Sequence, residues 1–524
     1  MGTAITAPYI RGERHKYLIA IAVVLAAMMQ LIDTSIVNVA IPHMMGNLGA
    51  SLDEIAWVST GYILASVIVI PLTGFLSAYF GRKRYFVGSV LVFTAASFFC
   101  GSARSLELLV FWRIVQGIGG GALIPTSQAV LLESFPPEEA GTAMAFFGMG
   151  MMVGPTLGPT LGGYITDNYS WPWIFYINLP IGVATVAMVA AFVHDHPHHE
   201  RTRHVDWSGI VFVAVAAGSA QYVLEHGQRE DWFDSGLITG LTVVAAIAGI
   251  LLVWRELTAE RPAIDFRVMR HRQMWVGTLI GVLLGVGLFG TIFVLPVFLQ
   301  GTLRMTAWQT GLIILPGALA SAVAMAAIGR IGNRVDPRLL IAAGSALFVV
   351  AMWQLSRITA DAGTHDFWWP LILRGLGLGL VFVPLTVMTL AGLESREVPQ
   401  ATGQLNFFRQ LGGSFGIALM ATLLVHYVQE GRAVLATHVS MYDFATRQRL
   451  GALTRAFVGA GADALSAHQR ALAVIQGEAA RQANVLAFGK LYLVSALMMI
   501  VSLPLLLLLR RVPHGAARAH AVPE

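Results

Sequence analysis

Asp33 and Arg113 are the residues whose type and setting point to chemistry. Asp33 is a lone carboxylate in Leu31-Ile32-Asp33-Thr34-Ser35-Ile36-Val37-Asn38-Val39-Ala40, deep in the first long apolar segment. An ionisable group in hydrocarbon costs several kcal/mol and is retained for ion or proton handling, or for a specific partner. At 1.5 Å per residue Asp33 lies roughly 13 Å from the outer end of its segment, and Arg113 roughly 9–10 Å into the fourth segment from the same side. Opposite charges at similar depth are buried most economically as a pair or a shared hydrogen-bond network. Such a carboxylate can alternate between an Arg-paired anion and a protonated acid. A permanent ion pair that only ties two helices together is the competing role. The ninth segment supplies no twin carboxylate, so a proton site is confined to the first half.

These residues need helices that cross a bilayer. The chain has 524 residues, 56% hydrophobic and 12% charged, more apolar surface than a soluble domain can hide. Fourteen apolar segments are placed at roughly 17–40, 55–78, 84–103, 107–132, 139–165, 172–193, 207–225, 235–256, 273–299, 307–329, 338–356, 368–391, 402–428 and 486–509. The first is too long for a signal-peptide core, so no cleavable leader is expected. Arg11 to Lys16, Arg82-Lys83-Arg84, Arg201 with Arg203, Arg267 to Arg272, Arg330 to Arg338 and Arg510-Arg511 fall on one side. The opposite loops carry single arginines such as Arg104, Arg229 and Arg357. The positive-inside rule therefore places both termini in the cytoplasm. The net charge of +5 lies in these loop clusters, with no nucleic-acid-binding pattern.

An internal repeat divides the chain. An offset of 261 residues superposes Arg113 on Arg374, Glu133-Ser134 on Glu394-Ser395, Ala140 on Ala401, and Phe146-Phe147 on Phe407-Phe408. The reading is an all-α polytopic membrane protein with two six-helix halves, 1–200 and 263–524. An inserted helix pair occupies 201–262, and a loop at 429–485 lies outside the membrane. Repeats of this kind place a substrate site at their interface and give alternating access by rocking. In the loop, Leu472, Ile475 and Val485 have helical spacing, which suits either a solvated excursion or a docking element.

Other motifs are weighed against this frame. Gly148 to Gly163 places Gly150, Gly154, Gly158 and Gly162 at fourfold spacing with Pro155, Pro159 and a further Gly163, a pattern that brings helices close and bends them. Gln116-Gly117-Ile118-Gly119-Gly120-Gly121 lacks the Lys-Ser/Thr end of a phosphate loop, and no Walker A motif occurs, so direct ATP drive is disfavoured. His194-Asp195-His196-Pro197-His198-His199 reads as a solvated linker rather than a metal site. The lone Cys100 excludes a disulfide framework. No paired carboxylates, Ser/His/Asp arrangement or metal-ligand spacing supports an enzyme.

At these motifs the chain resembles the EmrB/QacA-type, fourteen-helix drug:proton antiporters of the major facilitator superfamily, closest to the EmrB branch. The resemblance spans nearly the whole length. It rests on Leu31 to Pro42, on Arg113-Ile114-Val115-Gln116-Gly117 and on Gly150 to Gly163. Trp171-Pro172-Trp173-Ile174-Phe175-Tyr176-Ile177-Asn178-Leu179-Pro180-Ile181-Gly182 and Phe407-Phe408-Arg409-Gln410-Leu411-Gly412-Gly413 complete it.

The resemblance implies the major facilitator fold, a proton gradient as the only cofactor, and Asp33 and Arg113 in proton coupling. It also implies gating by the glycine-proline helix and by Arg82 and Lys83. In Gram-negative bacteria, members of that branch work in the inner membrane with a periplasmic adaptor and an outer-membrane channel. Ala78 stands where the superfamily usually has an acid, and Ala140 and Pro172 replace commonly basic residues. The expected activity is proton-driven export of amphipathic or hydrophobic compounds, with Gln30, Asn38, Gln128, Asn178, Gln300 and Asn406 as substrate contacts. An exporter of one compound (a fatty acid, siderophore or self-made antibiotic) and a non-transporting receptor on the same scaffold are the alternatives.

Overall fold

Backbone groups without water to bond must satisfy one another within helices, and the long Leu-, Ile-, Val- and Ala-rich runs do so. A computed structural model describes residues 13–136, 139–193, 205–259, 262–331, 335–394, 397–439 and 442–509, and no strand occurs among them. The first helices are α1 (Glu13–Leu48), α2 (Leu52–Phe80), α3 (Arg82–Gly101), α4 (Leu106–Ser134), α5 (Ala140–Asn168), α6 (Trp173–Tyr176) and α7 (Asn178–Phe192). A pair follows, α8 (Trp207–His226) and α9 (Gly236–Thr258). The remainder are α10 (Arg272–Val297), α11 (Ala307–Ile331), α12 (Pro337–Leu355), α13 (Thr364–Leu390), α14 (Val398–His438), α15 (Phe444–Gly459) and α16 (Ala464–Ser502). With α6 and α7 counted as one span, fourteen of these are long and apolar enough to cross a membrane, and the chain is a multi-pass membrane protein.

Local chemistry sets the helix ends. Ser51 and Glu54 form a reciprocal capping box at the start of α2, and Ser105, Asp206 and Asp463 cap α4, α8 and α16. Gly81 joins α2 to α3 at φ 87°, a left-handed conformation that favours glycine there. It presents Arg82 and Lys83 at the end of the bundle where α1 begins, here termed the basic end. Arg82 pairs with Glu133 of α4, and Lys83 Nζ donates to the Ala190 carbonyl at 2.6 Å. Where Ala78 replaces an acid, Arg82 thus finds its carboxylate on another helix.

α1 packs on α5, α2 on α4, and α3 on α4 and α7; α10 packs on α14, and α13 on α11 and α12. The first six spans meet the last six chiefly through α5 with α11 and α2 with α14, and also through α4 with α14 and α5 with α13. α8 and α9 lie on each other, with α8 also against α2 and α14. Val243, Val244, Ile247, Ile250 and Trp254 of α9 face outward, as lipid-covered residues do.

The chain departs from expectation at two places. α1 runs on to Leu48, beyond the expected end at about 40, so Asp33 lies near its middle. The segment 429–485 is not a loop: α14 continues to His438, α15 follows, and α16 begins at Ala464. The two long helices are tied by Lys490 Nζ to Glu430 Oε2 at 2.7 Å, with α15 laid on α16. The histidine run 194–199, Arg201, Arg203, Arg510 and Arg511 lie outside the described residues.

Candidate functional site

The Leu31–Ala40 stretch continues as helix, so its one charge must be satisfied by neighbouring helices. Asp33 is 0% exposed and Arg113 1%. Arg113 Nη1 donates to Asp33 Oδ2 at 2.6 Å. Asp33 Oδ1 accepts from Gln116 Nε2 and from Asn178 Nδ2, each at 2.9 Å. All three neighbours donate, so the arrangement fits the carboxylate anion.

A second layer holds those donors. Arg113 Nε donates to the Val58 carbonyl at 3.0 Å, Nη1 also reaches Gln116 Oε1 at 2.8 Å, and the guanidinium lies 4.3 Å from the centroid of the Tyr62 ring. Asn178 Nδ2 reaches Ser97 Oγ at 3.1 Å, and Ser97 in turn donates to the Phe175 carbonyl at 2.9 Å. One ion pair therefore links α1, α2, α3, α4, α6 and α7. Gln116, one turn from Arg113 on the same face, carried a readable signal in that spacing. Ser97, Tyr62 and Phe175 carried none, since only packing brings them here.

The glycines of α5 border the same helix. Ideal Cβ atoms on Gly150, Gly154 and Gly162 would lie 2.6, 2.8 and 2.8 Å from Val24, Leu31 and Ile36 of α1, and one on Gly158 would strike Ser35. The fourfold stripe thus seats the helix that bears Asp33. Gly163 is off the stripe and meets nothing within 4 Å. α5 stays one continuous helix through Pro155 and Pro159.

The expected substrate contacts scatter. Asn178 is buried and bonds to Asp33 and Ser97. Gln128 and Asn406 bond each other, Asn406 Nδ2 donating to Gln128 Oε1 at 2.6 Å across the seam between α4 and α14. Gln300 is exposed in the short turn Phe298–Thr302 at the far end of α10, away from that seam. Asn38 is exposed on α1 and accepts from Ser59 Oγ at 3.5 Å. Gln30 is 7% exposed, and its Oε1 has no hydrogen-bond partner. The seam closes at the basic end: Thr142 Oγ1 donates to the Gly329 carbonyl at 2.7 Å, and Gly74 of α2 abuts Gln400 of α14.

Known proteins resemble this arrangement. The profile of the Major Facilitator Superfamily matches residues 23–417. The multidrug export protein EmrB of Escherichia coli is 36% identical over 427 residues, 81% of this chain and 83% of its own. The fatty acid resistance protein FarB of Neisseria gonorrhoeae is 32% identical over 501 residues, 95% of this chain and 96% of its own. The crystal structure of the human organic anion transporter MFSD10 superposes with a TM-score of 0.57 at 14% identity, covering 92% of this chain and 99% of that one, a likeness of fold alone.

Proposed function

The chain belongs to the major facilitator superfamily, and from that premise we propose that it is a proton-driven multidrug exporter of the bacterial inner membrane, with both termini in the cytoplasm. Its working parts are two six-helix halves, 1–200 and 263–524, with 201–262 inserted between them. The observation that carries the reading is the buried Asp33–Arg113 pair at the junction of six helices. Breaking one partner of such a pair is costly, so a group that can neutralise Asp33 reversibly acts on every helix that holds it.

The proton enters at Asp33 Oδ2 and displaces Arg113 Nη1. Arg113 is not left bare, because Gln116 Oε1, the Val58 carbonyl and the Tyr62 ring still receive it. Protonation loosens α1 from α4 and α7. α1 is seated on the glycine stripe of α5, and α5 crosses to α11, so the change at Asp33 is transmitted to the seam through packed helices. The described form is closed towards the basic end by the Gln128–Asn406 and Thr142–Gly329 bonds. Reopening these admits substrate from the cytoplasmic side, with Gln30 and Asn38 as remaining polar contacts and Arg82 and Lys83 restraining the basic end.

The similarity to FarB favours a second reading, export of one dedicated class of compound, by extension fatty acids. Everted vesicles with an imposed pH gradient distinguish the two. Gradient-dependent uptake of chemically unrelated amphipaths, abolished by a protonophore, supports multidrug export; uptake of one class alone supports the dedicated reading. The projecting ends of α14 and α16, with α15, form the docking element for a periplasmic adaptor that leads to an outer-membrane channel. Site-specific crosslinking from α15 to the adaptor tests this, and full export after excision of α15 would contradict it.

A further inference from the structure

Two guanidinium groups lie inside the last six spans with no carboxylate bonded to them among the described residues, Arg374 on α13 and Arg409 on α14. The counterpart of Arg374 in the first six spans, Arg113, is neutralised by Asp33. Arg409 is 4% exposed, and its Nε and Nη1 have no hydrogen-bond partner. Nη2 makes one long contact, 3.4 Å, to Thr386 Oγ1. Its guanidinium carbon lies 4.7 Å from the centroid of the Phe382 ring. A desolvated cation–π contact returns about 2 kcal/mol, less than the several kcal/mol that an uncompensated buried charge costs. An anion has to meet this group at some stage of the cycle.

Place and surroundings indicate which anion. Arg409 stands eleven residues beyond Val398, the start of α14, about 16 Å along its axis, inside the apolar span rather than at its end. Bilayer phosphates do not reach that depth, whereas an amphipath taken into the protein does. One turn earlier Asn406 crosses the seam to Gln128. Phe382 also borders Gly148 of α5, whose ideal Cβ would lie 3.5 Å from its ring and close to Met325 of α11. The guanidinium therefore sits beside the seam between the first and last six spans, with an aromatic ring and a methionine next to it.

We propose that Arg409 is the headgroup anchor for amphipaths that carry a single carboxylate, their apolar tails lying along the Phe382 and Met325 side of the seam. This rests on the reading of the seam as the transport pathway and names a substrate class for it. A carboxylate takes up donors that the protein leaves unspent. A cationic amphipath gains nothing from this residue.

The test is equilibrium binding of radiolabelled laurate to the full-length chain in phosphatidylcholine nanodiscs, with dodecyltrimethylammonium measured in parallel. Arg409→Gln is expected to weaken laurate at least tenfold and the cation less than twofold, and Arg409→Lys to recover part of the laurate affinity. On the unaltered protein, methyl laurate is expected to compete at least tenfold less well than laurate, a comparison that needs no variant to fold. Equal losses for both probes, unchanged laurate binding in Arg409→Gln, or equal competition by the ester would each overturn the proposal. So would a tenfold loss of laurate affinity on adding phosphatidylglycerol, which would make a resident lipid the occupant. Binding is read without a pH gradient, so failure of proton coupling leaves this result intact. Failure of laurate to bind leaves export of cations to be judged by itself.

Discussion

Arg113 has more acceptors than it needs to hold Asp33, and that surplus separates a switchable pair from a fixed clamp. The two carboxylate oxygens take three donors, and each donor is itself tied to a further helix. Arg113→Ala leaves Asp33 buried with two amide donors and no cation, so it should lower stability by about 3–5 kcal/mol, read as a fall in the unfolding midpoint of the purified protein. Asn178→Ala removes one charge-assisted bond and should cost about 1.5–3 kcal/mol in the same measurement. Asp33 and Arg113 were legible because a charge in an apolar run has no other ready explanation. Asn178 was not: an amide in such a run bonds equally well to a substrate or to a neighbour, and only helix packing decides which.

The elements around the pair work by close approach. The α5 glycines leave room for α1, so a side chain there pushes away the helix that carries Asp33. Gly154→Leu should overpack this contact at a cost of about 1–3 kcal/mol and abolish transport. Gly88→Ala, where nothing lies within 4 Å of the new methyl, should fold and transport as before. Both are checked by unfolding and vesicle uptake side by side.

The pair α8–α9 has its own fastening. Asp206 caps α8 and pairs with Arg255 of α9 at 3.2 Å. Burial pushes the Asp206 carboxyl up, but the Gly209 amide, Ser208 and Arg255 more than offset this and hold it below its ordinary value. Its contribution is therefore present above the ordinary aspartate value and is lost as pH falls through the lowered one. Asp206→Ala should cost about 1 kcal/mol at neutral pH, and the difference from the unaltered protein should shrink on acidification below about pH 4. The glycine spacing was plain in the sequence, although its partner helix was not. The helical spacing of Leu472, Ile475 and Val485 was readable, but their continuity with the last span and the extension of α14 were not, because Ala-, Arg- and Gln-rich turns lose the apolar signal of a span while remaining good helix.

For the whole molecule, function depends on which end of the seam is closed. Two bonds among the described residues cross it, Asn406 to Gln128 and, at the basic end, Thr142 to Gly329. Gln128→Ala should remove about 1 kcal/mol from the closed form, roughly a fivefold change in the ratio of states. Spin labels at the basic ends of α5 and α11 should then report a larger long-distance population. The fourteen spans were readable from hydropathy; the seam was not, because it joins residues far apart in the chain. The central claim is that the proton binds at Asp33. In proteoliposomes, Asp33→Asn should lose uptake driven by a pH gradient while retaining exchange of labelled for unlabelled substrate without one. Gradient-driven uptake by that variant at the rate of the unaltered protein would contradict the account.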